Sequence, residues 1–75
     1  MEKKELVKFV SEFWKLELSK IDDKLKLDDK TLNNRSSIKF YQFIAKLESN
    51  FNVKVKNISN ILTIEDLYKN IEKKK

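Results

Sequence analysis

Residues 37–51 have the strongest pattern in the chain, because their apolar side chains recur at every third or fourth position. That spacing forms one apolar stripe along a helix, made of Phe40, Phe43, Ile44, Leu47 and Phe51. A helix with such a wide apolar face is stable in water only when other elements cover it. The pattern therefore predicts a helical domain in which the other segments pack around this helix.

Segments on both sides of this stretch also have helical patterns. Residues 3–18 predict a first helix, with Trp14 partly exposed. Residues 57–61 predict one helical turn, and residues 63–71 predict a last helix that begins with a capping box at Thr63. Together with the central stretch, these segments indicate three main helices and one short helix.

The segments between these helices are not expected to form further regular structure. Residues 19–36 predict a long loop whose scattered apolar residues anchor it over the core. Val53 and Val55 alternate with lysines, but two extended residues need a partner strand, so we expect a connector there. The sequence thus predicts one all-α domain over residues 1–75. It is a small four-helix bundle with the long loop between helices I and II and a frayed lysine tail over residues 72–75.

The composition excludes several kinds of chemistry. The chain has no cysteine and no histidine, so it lacks thiolate ligands and the usual side chain for proton transfer near neutral pH. Four aspartates in the predicted loop lack the glycine and the closing glutamate of an EF-hand, so we expect solvated charge and no metal site. We expect a protein that is not an enzyme.

Charge and hydropathy bear on partners and location. The net charge of +5 comes from residues 31–75, because residues 1–30 hold eight lysines and eight acids. Three of the basic residues are the terminal lysines, so the charge is only weakly concentrated, which argues against nucleic-acid binding. No apolar run reaches the about 20 residues that a membrane span needs, and the chain begins with an amphipathic segment. We expect a cytoplasmic monomer.

Two serines stand where the central helix is predicted to begin. Ser36 and Ser37 follow a polar segment, and serine is a preferred N-cap residue. The first turn of a helix also presents free N–H groups and the positive end of the dipole, which suit an anion such as a phosphodiester. From these residues alone, the serines are either a cap or the attachment point of a phosphate-linked group.

Several motifs resemble the acyl carrier protein family, including its peptidyl and D-alanyl carriers. Ser37-Ile38 resembles the Asp-Ser-Leu motif at the start of the family's second helix. Residues 47–55 resemble the family's Leu-Glu-x-x-Phe-x-Ile-x-Ile motif, and residues 61–67 are similar to the opening of its last helix. The resemblance covers nearly the whole chain.

This resemblance implies that Ser37 carries 4′-phosphopantetheine, attached by a separate phosphopantetheinyl transferase. An acyl or aminoacyl group would then be held as a thioester on the thiol of that arm, which suits a carrier without cysteine. Ser36 stands where the family usually has Asp, and both residue types cap helices well. Beside the arm we expect Ser36, Ile38 and Lys39, with Lys39 neutralising the phosphate.

The resemblance also implies that the second helix docks against the enzymes that load and transfer the cargo. Family members present carboxylates there, whereas this helix has two lysines and one acid. The difference predicts partners with acidic patches, or docking through apolar contacts. It favours a specialised pathway, such as polyketide or nonribosomal peptide biosynthesis, over housekeeping fatty-acid biosynthesis. The expected partner-binding residues are Ile38, Lys39, Tyr41, Gln42, Lys46 and Glu48.

One alternative interpretation keeps the carrier-like fold without the modification. Such a domain would be a small basic binding module for a protein or a nucleic acid, using lysines such as Lys54 and Lys56. Its binding to nucleic acid would weaken steeply as salt is added, which separates the two interpretations.

Overall fold

The computed structural model describes residues 2–32 and 35–73. Within them the chain forms three α-helices, two short 3-10 helices and one two-stranded antiparallel sheet. The predicted all-α four-helix bundle is therefore wrong, and the chain has a small mixed α/β fold. In chain order the elements are α1 (Lys3–Trp14), a first 3-10 helix (Leu18–Lys20), α2 (Ser37–Phe51), β1 (Val53–Val55), a second 3-10 helix (Ile58–Asn60), α3 (Ile64–Lys69) and β2 (Ile71–Lys73).

The sheet explains why the predicted fold class is wrong. β1 and β2 pair antiparallel, with Val53 opposite Lys73 and Val55 opposite Ile71. The sequence predicts a connector at β1 because it predicts a helix, and therefore no partner strand, at Ile71. α3 ends at Lys69, so the residues that follow are available for pairing with β1.

α3 begins with the predicted capping box. The Thr63 hydroxyl accepts the Asp66 N–H at 3.2 Å, and the Asp66 carboxylate accepts the Thr63 N–H at 3.3 Å. The helix stops before the predicted residue 71, because the Asn70 side-chain amide donates to the Asp66 carbonyl at 2.7 Å and satisfies the last turn. Residues 72–73 belong to β2 where the sequence predicts a frayed tail. Residues 74–75 lie outside the described part of the chain.

α1 is shorter than the predicted helix over residues 3–18. It ends at Trp14 because Lys15 adopts a left-handed conformation, with a φ of 56°. The Ser11 hydroxyl then donates to the Leu16 carbonyl at 2.6 Å, which holds the chain as it leaves the helix.

α2 spans the predicted residues 37–51, because both of its ends are capped. At its start the Ser36 hydroxyl accepts the Lys39 N–H at 3.1 Å. At its end Asn52 adopts a left-handed conformation, with a φ of 52°. Asparagine tolerates this conformation better than most residues, which matters in a chain without glycine.

The described part of the predicted loop, residues 19–36, is fastened to the rest of the fold. Ile21, Leu27 and Leu32 are buried, which confirms that apolar residues anchor this segment. The Leu27 N–H donates to the Leu62 carbonyl at 2.9 Å. This bond holds the loop against the chain that leads into α3.

An aromatic cluster joins α1 to α2. The ring centroids of Phe13 and Phe43 are 5.2 Å apart, and those of Trp14 and Phe43 are 5.6 Å apart. Trp14 is only 1% exposed, so the prediction that it is partly exposed is wrong. The cluster is continuous with buried apolar side chains from the loop, β1 and α3, which form one core.

Candidate functional site at the start of helix α2

Ser37 is the first residue of α2, and it is exposed. Ser36 beside it is also exposed, but its hydroxyl already accepts the Lys39 N–H as the N-cap. The Ser37 hydroxyl makes no hydrogen bond within residues 2–32 and 35–73. Of the two candidate serines, Ser37 therefore has the hydroxyl that the helix does not use.

An open groove of about 560 Å³ lies beside Ser37. The start of α2 forms one wall, and residues 26–29 and 58–63 form the others. Tyr41 and Leu62 are 59% and 68% exposed, so they present apolar surface where the groove opens to solvent. The apolar lining consists of Leu27, Phe40, Tyr41, Ile58, Ile61 and Leu62.

Arg35 is a site residue that the sequence analysis did not single out. It lines the same groove as Ser37, and the carbon at the centre of its guanidinium lies 4.6 Å from the centroid of the Phe40 ring. Its Nε is buried and has no hydrogen-bond partner within the described residues. The available sequence signal is that Arg35 is the single arginine of a lysine-rich chain and directly precedes the serine pair.

Lys39 and Lys46 lie away from the groove, on the side of α2 that contacts α1. The Lys39 Nζ is 5.1 Å from the centroid of the Trp14 ring, and the Lys46 Nζ is 5.9 Å from that of Phe13. Both rings belong to the end of α1. Lys39, which the resemblance placed beside the arm, is therefore not among the residues that line the groove.

The outward face of α2 is uncharged. Ile38 is 73% exposed, Tyr41 is largely exposed, and Gln42, which follows Tyr41 in the helix, is exposed as well. Glu48, an expected partner-binding residue, is half-buried, and its Oε2 accepts the Val55 N–H at 2.8 Å. The structure thus brings Ile38, Tyr41 and Gln42 together on one surface and assigns Glu48 a contact inside the fold.

Two aspartates also line the groove. The Oδ1 of Asp28 accepts the Thr31 N–H at 2.9 Å, and this hydrogen bond is the main reason that the pKa of Asp28 lies below its usual value. Asp28 is therefore ionised at neutral pH, and Asp29 lies next to it in the lining. The polar part of the groove carries both signs of charge.

The described residues contain neither a cluster suited to a metal ion nor a membrane-spanning helix. Among the described residues, no group of three or more acidic side chains is placed to hold a metal ion. Residues 2–32 and 35–73 also contain no helix that is long and apolar enough to cross a membrane.

In comparisons with known proteins, the chain matches no family model, no curated protein and no solved structure.

Proposed function

We propose that this protein is a cytoplasmic, monomeric carrier that holds an acyl or aminoacyl group on 4′-phosphopantetheine attached to Ser37. The observation that carries the proposal is the position of Ser37, exposed at the first residue of a 15-residue helix and beside an open groove. The resemblance of residues 37–38, 47–55 and 61–67 to acyl carrier protein motifs gives the reason to expect this particular modification.

Attachment would use coenzyme A and a separate phosphopantetheinyl transferase. The Ser37 hydroxyl oxygen forms a bond to the phosphorus that bears pantetheine, the phosphoanhydride bond of coenzyme A breaks, and 3′,5′-ADP leaves. The hydroxyl proton passes to a base of the transferase. When bound, the arm supplies a thiol that holds the cargo as a thioester, a group that this cysteine-free chain lacks.

The first turn of α2 suits a phosphodiester on Ser37. Because Ser36 supplies the cap, modification of Ser37 leaves the hydrogen bond that begins the helix in place. The positive end of the α2 dipole favours the negative charge that modification adds. The apolar lining of the groove, which includes Leu27, Phe40 and Leu62, offers a surface for the arm or for a short cargo.

Partner enzymes would dock on the outward face of α2. Ile38 and Tyr41 supply exposed apolar surface next to Ser37, and Lys39 and Lys46 provide positive charge along the edge that faces α1. A complementary partner has an apolar centre and carboxylates opposite the lysines. This charge pattern supports a specialised pathway with its own loading and transfer enzymes.

The test is incubation of the purified chain with coenzyme A and a broad-specificity phosphopantetheinyl transferase, followed by intact-mass analysis and peptide mapping. We expect addition of one phosphopantetheine to the wild type and to Ser36→Ala, and none to Ser37→Ala. Circular dichroism of both variants controls for folding.

Two outcomes would contradict the proposal. The carrier function fails if the wild type gains no mass, and the assignment to Ser37 fails if Ser37→Ala is still modified. A wild type that gains no mass but binds duplex DNA, with affinity falling steeply across a salt series, would favour the basic binding module instead.

A further inference from the structure

We infer that Arg35 binds the phosphodiester on Ser37 and fixes it at the entrance of the groove. This inference rests on the proposed function, since it needs the modified serine. Arg35 would then be a positioning residue for the arm. The Arg35 Nε is buried without a hydrogen-bond partner in the described residues, and such a donor costs free energy until it is paired.

The contact with Phe40 restricts the orientation of the Arg35 guanidinium before an anion binds. At 4.6 Å from the ring centroid, the guanidinium carbon lies over an aromatic face, which limits the orientations of the side chain. The planar guanidinium presents its N–H donors in a fixed geometry that matches two phosphate oxygens at once. Stacking on Phe40 therefore lowers the entropy that Arg35 loses when it binds a phosphodiester.

The charge of Arg35 is available inside this groove. Arg35 takes part in none of the ion pairs of the described residues, although Asp28 and Asp29 line the same groove. Those carboxylates repel an anion, so a phosphodiester needs a cation close to Ser37. Arg35 is two residues before Ser37 and shares the groove with it, whereas Lys39 lies over the Trp14 ring.

The phosphodiester would thus supply the anion that the Arg35 guanidinium lacks among the described residues of the unmodified chain. Binding through the guanidinium places a cation beside the new negative charge and keeps the start of the arm near the apolar lining. Pairing with the buried Nε also requires the Arg35 side chain to turn this atom toward the groove. The ligand class is a singly charged phosphate diester, and the recognition is through hydrogen bonds from the guanidinium.

The test uses the fact that the chain has one arginine, so its Nε–Hε group gives one identifiable NMR signal. We would compare this signal in the unmodified protein and in protein that intact mass shows to be fully modified. We expect the Hε proton to shift downfield, to exchange more slowly with water and to show scalar coupling to the phosphorus across the hydrogen bond.

Matched variants test the same contact through stability. Modification should raise the melting temperature of the wild type, Arg35→Gln should lose that increase, and Lys39→Gln should keep it. Lys39→Gln removes the same charge from the same end of α2 but on the side that faces α1. An equal effect in both variants would mean that net charge, and not a contact by Arg35, determines the increase.

The results separate the two proposals. If the wild type gains no phosphopantetheine mass, the carrier function and the role of Arg35 both fail. If the mass is gained and the Arg35 Nε–Hε signal stays unchanged, the carrier function stands and the role of Arg35 is refuted.

Discussion

Ser36 and Ser37 are neighbours with different roles in the helix start. Ser36→Ala removes the acceptor of the Lys39 N–H, and we expect it to cost about 1 kcal/mol of unfolding free energy. Ser36→Asp should restore most of this loss, because aspartate also caps helices. Ser37→Ala should change stability by less than about 0.5 kcal/mol, because Ser37 is exposed and its side chain caps nothing. Urea denaturation of the unmodified protein measures all three, and equal losses in both alanine variants would contradict this division of roles.

Asp28 makes stability depend on pH in the acid range. Its folded-state pKa lies below the ordinary value of 3.8, chiefly because the carboxylate accepts the Thr31 N–H. A lowered folded-state pKa adds stability above the unfolded-state pKa, and this contribution is lost as pH falls through the folded-state pKa. We expect the urea midpoint of the wild type to fall more than that of Asp28→Asn between about pH 5 and about pH 2.

Asp29→Asn is the matched control for this titration. Asp29 lies next to Asp28 in the groove, but it accepts no hydrogen bond within the described residues. Its variant should therefore follow the wild-type profile. Parallel profiles for the wild type and Asp28→Asn would show that the Thr31 hydrogen bond does not contribute to acid sensitivity.

Single residues also show where sequence interpretation stops. In a chain without glycine and proline, Asn, Asp and Ser are the residues expected to make the tight turns, and among the described residues Asn52 and Asn57 have positive φ, whereas no Asp or Ser does. Lys15 also has a positive φ, and no local feature separates this lysine from one inside a helix. The apolar pattern continues past it, so the predicted first helix runs too far.

At the scale of the elements, a hydrogen bond to the Glu48 side chain joins α2 to β1 in addition to their apolar packing. Glu48→Ala removes the acceptor of the Val55 N–H, which is part-buried, and we expect it to cost about 1–3 kcal/mol of unfolding free energy. Glu48→Gln should cost less, because its amide oxygen can accept the same hydrogen bond. Chemical denaturation measures the stability, and hydrogen exchange at the Val55 amide measures the local effect. Unchanged exchange at Val55 in the alanine variant would contradict this role.

The elements that the sequence predicts well are those with local signals. α2 has an apolar stripe and a residue suited to each cap, and α3 has its capping box within four residues. β1 and β2 are three residues each and are far apart in the sequence, so their pairing leaves no periodic pattern to detect.

The features of the candidate site also divide into those with a local sequence signal and those that depend on the fold. The position of Ser37 at the first residue of α2 could be predicted, because a helix start is a local property of the sequence. The contact between Arg35 and Phe40 could not, because it depends on how the chain enters the helix. Lys39 is close to Ser37 in sequence, but residues two apart in a helix do not face each other, and it lies over Trp14.

At the scale of the whole molecule, the groove exists only when distant segments meet. Its walls come from residues 26–29, from the start of α2 and from residues 58–63. Leu27 connects them, because its side chain is buried in the core and its N–H donates to the Leu62 carbonyl at 2.9 Å. The groove is therefore part of the folded core and not a separate flap.

This arrangement predicts that the walls of the groove separate from one another only when the whole chain unfolds. The free energy of opening from hydrogen exchange at the Leu27 amide should equal the global unfolding free energy from Trp14 fluorescence, since Trp14 is the single tryptophan and is 1% exposed. Leu27→Ala, which leaves a cavity in the shared core, should lower the global value by about 2–5 kcal/mol. Its fluorescence and far-ultraviolet ellipticity transitions should still coincide. Exchange at Leu27 that is much faster than global unfolding, or separate transitions in Leu27→Ala, would show that the loop opens independently, and Ser37 would then stand beside a surface that forms only part of the time.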